Sequence, residues 1–149
     1  MTAIKQITNN RKARFEYHIF DTFEAGIALL GSEVKSLREG RVSLAEAFVI
    51  LRDNGAWLKQ AHIAEYKWAN INNHEPYRER QLLLNQHELT KLHRATREKG
   101  MTIVPLKMYF KGPRIKLEIA LAKGKKLHDK RHAIKERQTK RDMARDRRD

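Results

Sequence analysis

The chain is organised around residues 24–41, which read EAGIALLGSEVKSLREGR. In the first part of this stretch Ile27 and Leu29 lie two residues apart, as on one face of a half-buried strand. The alternation then stops, and Ser32 is a residue type that caps the N-terminus of a helix. We therefore predict a strand that passes at Ser32 into a short helix, which ends near Gly40.

The predicted helix is small and basic. Val34 and Leu37 form a narrow apolar seam, whereas Lys35 and Arg38 give the helix positive charge. A strand that passes into a basic helix brings carboxylates and cations together at a sheet edge. Lys35 and Arg38 are therefore candidate contacts for an anionic partner, although an ordinary solvated corner fits the same spacing equally well.

The composition limits the class of protein. At 149 residues, 40% of them hydrophobic, the chain has material for one modest core and one domain. The formal net charge of +14 indicates a polyanionic partner, either nucleic acid or an anionic membrane surface. No apolar run approaches the ~18 residues of a membrane-spanning helix, and the N-terminus lacks the apolar stretch of a signal peptide. Since cysteine is absent, we exclude disulfides and thiolate metal sites. Together with the absence of a spanning run and a signal peptide, this leads us to expect a cytoplasmic protein that does not contact membranes.

Positive charge is concentrated at the C-terminal end. Residues 123–149 hold 12 Lys and Arg against 5 Asp and Glu, with almost no apolar side chains. Dense like charge without apolar surface predicts disorder in the free protein. We therefore predict three parts: a flexible basic arm over residues 1–13, a folded domain over residues 14–122, and a basic tail over residues 123–149.

Alternation of apolar and polar residues predicts hairpins in the first half of the domain. A first strand that includes Phe15 is expected to turn at Asp21 into the strand of residues 24–30. A second hairpin is expected to turn at Asn54-Gly55, with a positive φ at both residues.

The second half of the domain contains one clear helix and a long hairpin. The helix covers residues 86–99 and ends at Gly100. The hairpin spans residues 103–122, and in its second arm we expect Leu117 to face inward and Ala120 outward. The fold class is therefore mainly β with flanking helices (α+β). The short loops favour a small closed antiparallel barrel, which the pattern alone does not separate from a sandwich.

The sequence carries no recognisable catalytic motif. His128 and His132 stand at i, i+4, as metal ligands on a helix do, but no carboxylate completes a ligand set at motif spacing. A Gly-rich phosphate loop, a His-Glu-x-x-His run and a nucleophile elbow are absent. We therefore expect a binding protein with no catalytic residues, no metal and no cofactor.

The long hairpin combines cations with aromatic residues. It carries several lysines, with Tyr109 and Phe110 interleaved. Cations reach phosphates and aromatic faces stack on unpaired bases, as barrel-type RNA binders require; Phe110 fits a core position better than a stacking one. The cations predicted to contact RNA are Lys35, Arg38, Lys107, Lys111 and Lys116.

Four blocks of the sequence resemble the SmpB family, whose members are small proteins that bind transfer-messenger RNA. They are residues 24–38 (EAGIALLGSEVKSLR), residues 10–13 (NRKA), residues 81–85 (QLLLN) and the run over residues 100–126. The blocks occur in the family's order and cover nearly the whole chain. Gln81 departs from the lysine usual in the family, and Thr139 stands where some members have an aromatic residue.

The resemblance implies an oligonucleotide-binding-type barrel with its helices outside, and it implies a set of contacts. Glu24 would accept hydrogen bonds from base or ribose donors, and Leu83 would lie against an unstacked base unless it is a core leucine. The implied RNA-binding residues are Asn10, Arg11, Glu24, Leu83, Lys116, Lys123, Lys125 and Lys126. The tail residues implied to contact the ribosome, where the tail would become helical, are Asp129, Lys130, Arg131, His132, Ile134, Lys135 and Arg137.

The resemblance further implies a monomeric, non-enzymatic factor of trans-translation. The barrel would bind the tRNA-like domain of transfer-messenger RNA and reach stalled ribosomes together with elongation factor Tu. It would replace the missing anticodon arm in the small-subunit decoding centre, and the tail would enter the vacant mRNA channel. The alternative is a ribosomal protein or RNA chaperone that binds ribosomal RNA through the same basic barrel.

Overall fold

The structure is a computed structural model that describes residues 3–68 and 73–125. In chain order its elements are β1 (Ile4–Asn9), α1 (Arg11–Glu16), β2 (Tyr17–Ile27), α2 (Gly31–Arg38), β3 (Val42–Ser43), β4 (Phe48–Arg52), β5 (Gly55–Lys59), β6 (His62–Ile63), β7 (Arg80–Leu83), α3 (Gln86–Lys99), β8 (Thr102–Lys111) and β9 (Arg114–Gly124).

The main sheet closes on itself. It is seven-stranded in the order β1-β8-β4-β5-β7-β2-β9, and β9 also pairs with β8. This pairing closes the six strands from β8 to β9 into a ring, and β1 is added along β8. Every pairing is antiparallel. The short strands β3 and β6 form a separate two-stranded sheet. The predicted fold class, a mainly β domain built on a small antiparallel barrel with flanking helices, is confirmed, and closure separates it from a sandwich.

The barrel interior is the hydrophobic core. Leu58, Met108, Leu117 and Ile119 are fully buried there, and Leu92 joins them from α3. The predicted bounds of α3 are confirmed. Its first turn is capped by the Asn85 side chain, and Gly100 ends it with a left-handed φ of 63°.

Two of the predicted hairpins are confirmed in their pairing. β4 pairs with β5 across Asp53 and Asn54, and β8 pairs with β9 across Gly112 and Pro113. The expected turn conformation at the first hairpin is wrong, because among its residues only Gly55 has a positive φ, of 143°. Gly55 is already the first residue of β5, so the turn proper lies one position earlier than expected.

The predicted flexible arm is wrong for residues 4–13. β1 pairs with β8, and α1 follows it after Asn10, whose side chain accepts the Ala13 N–H as a helix cap. Ala13 packs on a second apolar cluster, outside the barrel, that includes Val104, Ala120 and Ala122. This contact also corrects the predicted outward position of Ala120, which does face away from the barrel but is buried beneath α1.

The predicted hairpin before residue 24 is one continuous strand. β2 runs through Asp21 and pairs with β9 along both of its halves, with a register shift between Ile19 and Asp21. A bulge of this kind accommodates turn-forming residues without reversing the chain. Phe15, predicted to lie in a strand, belongs to α1.

The start of α2 differs from the prediction. The helix begins at Gly31 after Leu30, and Glu33 reaches back so that its Oε1 accepts the Leu30 N–H at 2.8 Å. Ser32 does not cap the helix, and its Oγ lies 2.9 Å from Nδ1 of His74 instead. The helix is therefore anchored by its acidic third residue rather than by a hydroxyl cap.

Candidate nucleic-acid interface

Strand register brings the predicted RNA-binding residues of the barrel together. Leu83 of β7 pairs with Gly26 of β2, Gly26 pairs with Lys116 of β9, and Lys116 pairs with Tyr109 of β8. Cross-strand partners share one face of a sheet, and residues two apart along a strand share it too. We call this surface the barrel face; it comprises Glu24, Gly26, Leu83, Lys107, Tyr109, Lys111 and Lys116.

Leu83 is 57% exposed, so it is not a core residue. It lies across Gly26, where a Cβ atom would come within 3.1 Å of the Leu83 Cβ. The absence of a side chain at Gly26 therefore leaves room for Leu83 against the sheet. The arrangement presents an apolar side chain to solvent beside Lys116.

Glu24 is held in place by residues from another strand. The Tyr109 hydroxyl donates a hydrogen bond to Glu24 Oε2, and Lys111 Nζ lies 3.1 Å from Oε1. These two contacts, the Tyr109 bond foremost, lower the pKa of Glu24, so the carboxylate is ionised at neutral pH. Burial and the Glu24 carboxylate raise the pKa of Tyr109, which keeps its phenol a donor. In the sequence, Tyr109 stood out only because it lies among lysines. Its bond to Glu24 could not be predicted, because the two residues are 85 positions apart.

The cations of the barrel face lie near two carboxylates, Lys111 beside Glu24 and Lys107 beside Glu118. Lys107 Nζ lies 5.6 Å from the Tyr109 ring centroid and 3.7 Å from Glu118 Oε2. A shallow groove is lined by Glu24, Lys111, Pro113, Arg114 and Lys116. Its chemistry, one acid among cations, suits a ligand that presents both phosphates and hydrogen-bond donors.

Asn10 has a different place from the one the resemblance implied. It is buried, and its Nδ2 donates to the carbonyls of Leu44 at 3.0 Å and Pro105 at 2.9 Å. Its Oδ1 accepts the Ala13 N–H, so both amide hydrogens and the oxygen are used by the fold. The side chain has no free donor to offer RNA, whereas the adjacent Arg11 is exposed.

The other predicted cations are spread over the molecule. Lys35 and Arg38 lie on α2, outside the barrel face, and Lys35 Nζ stands 5.4 Å from the Tyr66 ring centroid. Lys123 is exposed near the end of β9, and Lys125 donates its backbone N–H to Glu16 at 2.7 Å. The predicted contacts outside the described residues are Lys126, Asp129, Lys130, Arg131, His132, Ile134, Lys135 and Arg137.

A buried ion cluster connects α2 to β7 near this interface. It was not predicted from the sequence. Arg80 of β7 and Glu33 of α2 are fully buried, with Arg80 Nε 2.6 Å from Glu33 Oε2. Arg78 contacts the same carboxylate at 2.5 Å. Burial raises the pKa of Glu33, but the hydrogen bonds from Arg78, from the Leu30 N–H and from Arg80 outweigh it, so the pKa is lowered. The burial of Arg80 could have been predicted from the alternation of β7, because Arg80 and the buried Leu82 lie on the same face of the strand.

The described part of the chain holds neither a metal-binding cluster nor a membrane-spanning helix. Within residues 3–68 and 73–125, no three His, Asp or Glu side chains are grouped so that they could hold a metal ion. The helices of these ranges are too short or too polar to cross a bilayer.

Comparison with known proteins decides the family. The family model described as SmpB protein matches residues 7–149. The chain belongs to the SmpB family. A curated SmpB-like relative, the SsrA-binding protein of Trichodesmium erythraeum, is 53% identical over 142 residues, which are 95% of this chain and 91% of the relative. The SsrA-binding protein of Allorhizobium ampelinum is 55% identical over 146 residues, 97% of this chain and 92% of the relative.

A solved structure agrees with the SmpB assignment. The structure described as "tmRNA-SmpB: a journey to the center of the bacterial ribosome" contains a chain that superposes with a TM-score of 0.68 at 45% identity. The match covers 80% of this chain and 85% of that chain. The SmpB family resemblance read from the four sequence blocks is therefore confirmed.

Proposed function

We propose that this protein is a non-enzymatic RNA-binding factor of trans-translation, which binds the tRNA-like domain of transfer-messenger RNA through the barrel face. The observation that carries the proposal is its relationship to SsrA-binding proteins, which extends over 95% of the chain at 53% identity. The alignment spans the residues that build the barrel, so the comparison concerns the same folded surface.

The geometry of the barrel face supports the proposal. Lys116 and Lys111 are placed to reach phosphates, and exposed Leu83 offers an apolar contact to an unstacked base. Glu24 is already oriented by Tyr109, so it accepts hydrogen bonds from base or ribose donors without first ordering its side chain. A surface that bound by charge alone would not require this acid.

The ribosomal part of the proposal concerns how the complex is used. The related chain described above comes from a structure whose description places SmpB with tmRNA in the bacterial ribosome. We infer that the present protein, as a cytoplasmic monomer, is delivered with elongation factor Tu and occupies the decoding centre in place of an anticodon arm. Residues 123–149 would then enter the vacant mRNA channel, where their 12 Lys and Arg face ribosomal RNA.

The RNA-binding step is tested by salt-dependent affinity for a transfer-RNA-like RNA. Lys116→Ala should flatten the dependence of log affinity on log salt by about 0.7–0.9, which corresponds to one phosphate contact. Glu24→Gln should weaken binding with little change in that slope, because it replaces an accepting carboxylate oxygen with an NH2 donor and removes no cation. The matched control is Lys99→Ala, an exposed lysine of α3 outside the barrel face. Tighter binding by Glu24→Gln would show that Glu24 only repels RNA.

The ribosomal step is tested with a chain truncated after Lys126. Because the described barrel ends before this residue, the variant should fold and bind RNA with a modest loss. Peptide tagging on ribosomes with truncated message should fail, since nothing would occupy the channel. Normal tagging would remove this role from the tail, and preferential binding to ribosomal RNA would favour a ribosomal protein or chaperone instead.

A further inference from the structure

An exposed tryptophan ring and a half-buried tyrosine ring lie beside cations outside the barrel face. Trp68 is 70% exposed, and Lys67 Nζ stands 5.1 Å from its ring centroid. Tyr66, two residues earlier, has Lys35 Nζ at 5.4 Å from its ring centroid. A large ring left in solvent beside a cation is the arrangement by which proteins stack on unpaired bases. We call Lys35, Tyr66, Lys67 and Trp68 the aromatic cluster.

The segment that carries the aromatic cluster is firmly anchored. Asn73 donates its Nδ2 to the Tyr66 carbonyl at 2.9 Å, and its Oδ1 accepts the Tyr66 N–H at 3.1 Å. The buried ring of His74 lies between the Ile63 carbonyl, at 2.8 Å, and the Ser32 hydroxyl. Ser36 Oγ donates to the Ala64 carbonyl at 2.6 Å, which ties the same segment to α2. Tyr66 and Lys35 are therefore held in register by the fold.

The surrounding charges favour bases over phosphates as the ligand. Arg38 of α2 is exposed. Two acidic residues are exposed as well: Glu65, which precedes Tyr66, and Glu75, which follows His74. Carboxylates repel a phosphate backbone, whereas they do not oppose stacking of a base on a ring. A regular duplex offers no free base face, so the fitting partner is single-stranded RNA.

We propose that the aromatic cluster is a second RNA-contact site, which stacks on unpaired bases independently of the barrel face. It assigns a role to Lys35, which sequence reasoning grouped with the barrel cations. The inference does not depend on which RNA the barrel face binds.

The test uses tryptophan fluorescence in the full chain. The protein has 2 Trp residues, so Trp57→Phe makes Trp68 the single reporter. The probes are a 12-nucleotide oligoadenylate, a duplex RNA of equal length and an oligoglutamate peptide, with binding measured separately from the anisotropy of labelled probe. Deeper quenching by oligoadenylate than by duplex, at equal fractional binding, is expected. Equal quenching by duplex, absence of quenching on saturation, or stronger quenching by the peptide would overturn the proposal.

Affinity measurements complete the test. Trp68→Ala should weaken oligoadenylate binding about 5- to 150-fold, the range for loss of one stacked base, without changing the salt slope. The matched control is Phe20→Ala, which removes another exposed ring, 57% accessible, from a different part of the barrel. Lys116→Ala should leave the quenching of Trp68 unchanged. Equal effects of the Trp68 and Phe20 variants, or a loss of quenching in the Lys116 variant, would contradict a separate stacking site.

Discussion

The buried Glu33–Arg80 pair provides the sharpest test of how the fold is held. Glu33→Gln removes the charge while keeping the shape of the side chain. Arg80, which is fully buried, would keep hydrogen bonds to the carbonyls of Ala61 at 2.8 Å and Pro76 at 3.1 Å but lose its counter-charge. Breaking a buried ion pair from one side costs about 3–5 kcal/mol, because the remaining charge stays desolvated. Since small domains are stable by only about 5–15 kcal/mol, the variant should be close to unfolding.

The measurement is urea unfolding of the full chain, followed by circular dichroism. We expect a large fall in the midpoint with an unchanged m-value. The matched control is Glu46→Gln, which removes the charge from the exposed Lys12–Glu46 pair and should leave the midpoint where it is. A double variant with Met at both 33 and 80 should recover part of the loss, because a well-packed apolar pair removes the uncompensated charge. A loss below about 1 kcal/mol in Glu33→Gln would refute the reasoning.

Three further predictions follow from particular contacts. The pKa of Glu33 is lowered in the folded state, so the carboxylate contributes its full stability above pH 4.5 and loses it as the pH falls through the folded-state pKa. Glu33→Gln should therefore flatten the acid limb of a stability–pH curve, and an unchanged limb would contradict this. Tyr109→Phe should raise the pKa of Glu24 toward its ordinary value, as followed by carboxyl-carbon NMR titration, and a pKa that does not move would show that Lys111 alone sets it. Gly100→Ala should lower the free energy of unfolding by about 1–2 kcal/mol in the same urea assay, because alanine is strained at a φ of 63° even though an added Cβ would meet nothing within 4 Å. A neutral result would show that the end of α3 relaxes.

The barrel itself could be predicted because its signals are local. Leu117, Ile119 and Leu121 recur at every second position, and Gly112-Pro113 marks the turn of their hairpin, so the strands can be predicted from the sequence alone. The helix of residues 86–99 was likewise defined by its own cap and its own apolar face. The strand pattern favoured a closed barrel without separating it from a sandwich, and the family resemblance supplied that distinction.

The N-terminal segment could not be predicted for the opposite reason. Only Ile4 and Ile7 are apolar in β1, and the strand exists because β8 offers it an unpaired edge about 100 residues later. Asn10 was read as an RNA ligand because it lies in a motif block, whereas its three hydrogen bonds make it a structural cap. The identity of a residue in a motif therefore did not distinguish a binding role from a folding role.

The candidate site was predicted in composition but not in arrangement. Glu24, Leu83 and Lys116 were named from the resemblance, and strand register shows that they share a face. Their support by Tyr109 rests on a contact across 85 residues, which no local pattern encodes. Lys35 was named together with the barrel cations, whereas the structure places it on α2 with its Nζ 5.4 Å from the Tyr66 ring centroid.

The pairing of β1 with β8 also has a consequence for synthesis of the chain. Ile4 is synthesised about 100 residues before its partner Lys111, and β8 is paired on its other side with β9, which ends at Gly124. The barrel therefore closes only after β9 has emerged, and β1 stays unpaired until β8 is available. Its lysine and its glutamine, asparagine and threonine residues suit this wait, since they keep the exposed strand in solution. A nascent chain interrupted before the last strand would leave the sheet open at β8 and β2, and would be a substrate for proteolysis rather than a partial binder.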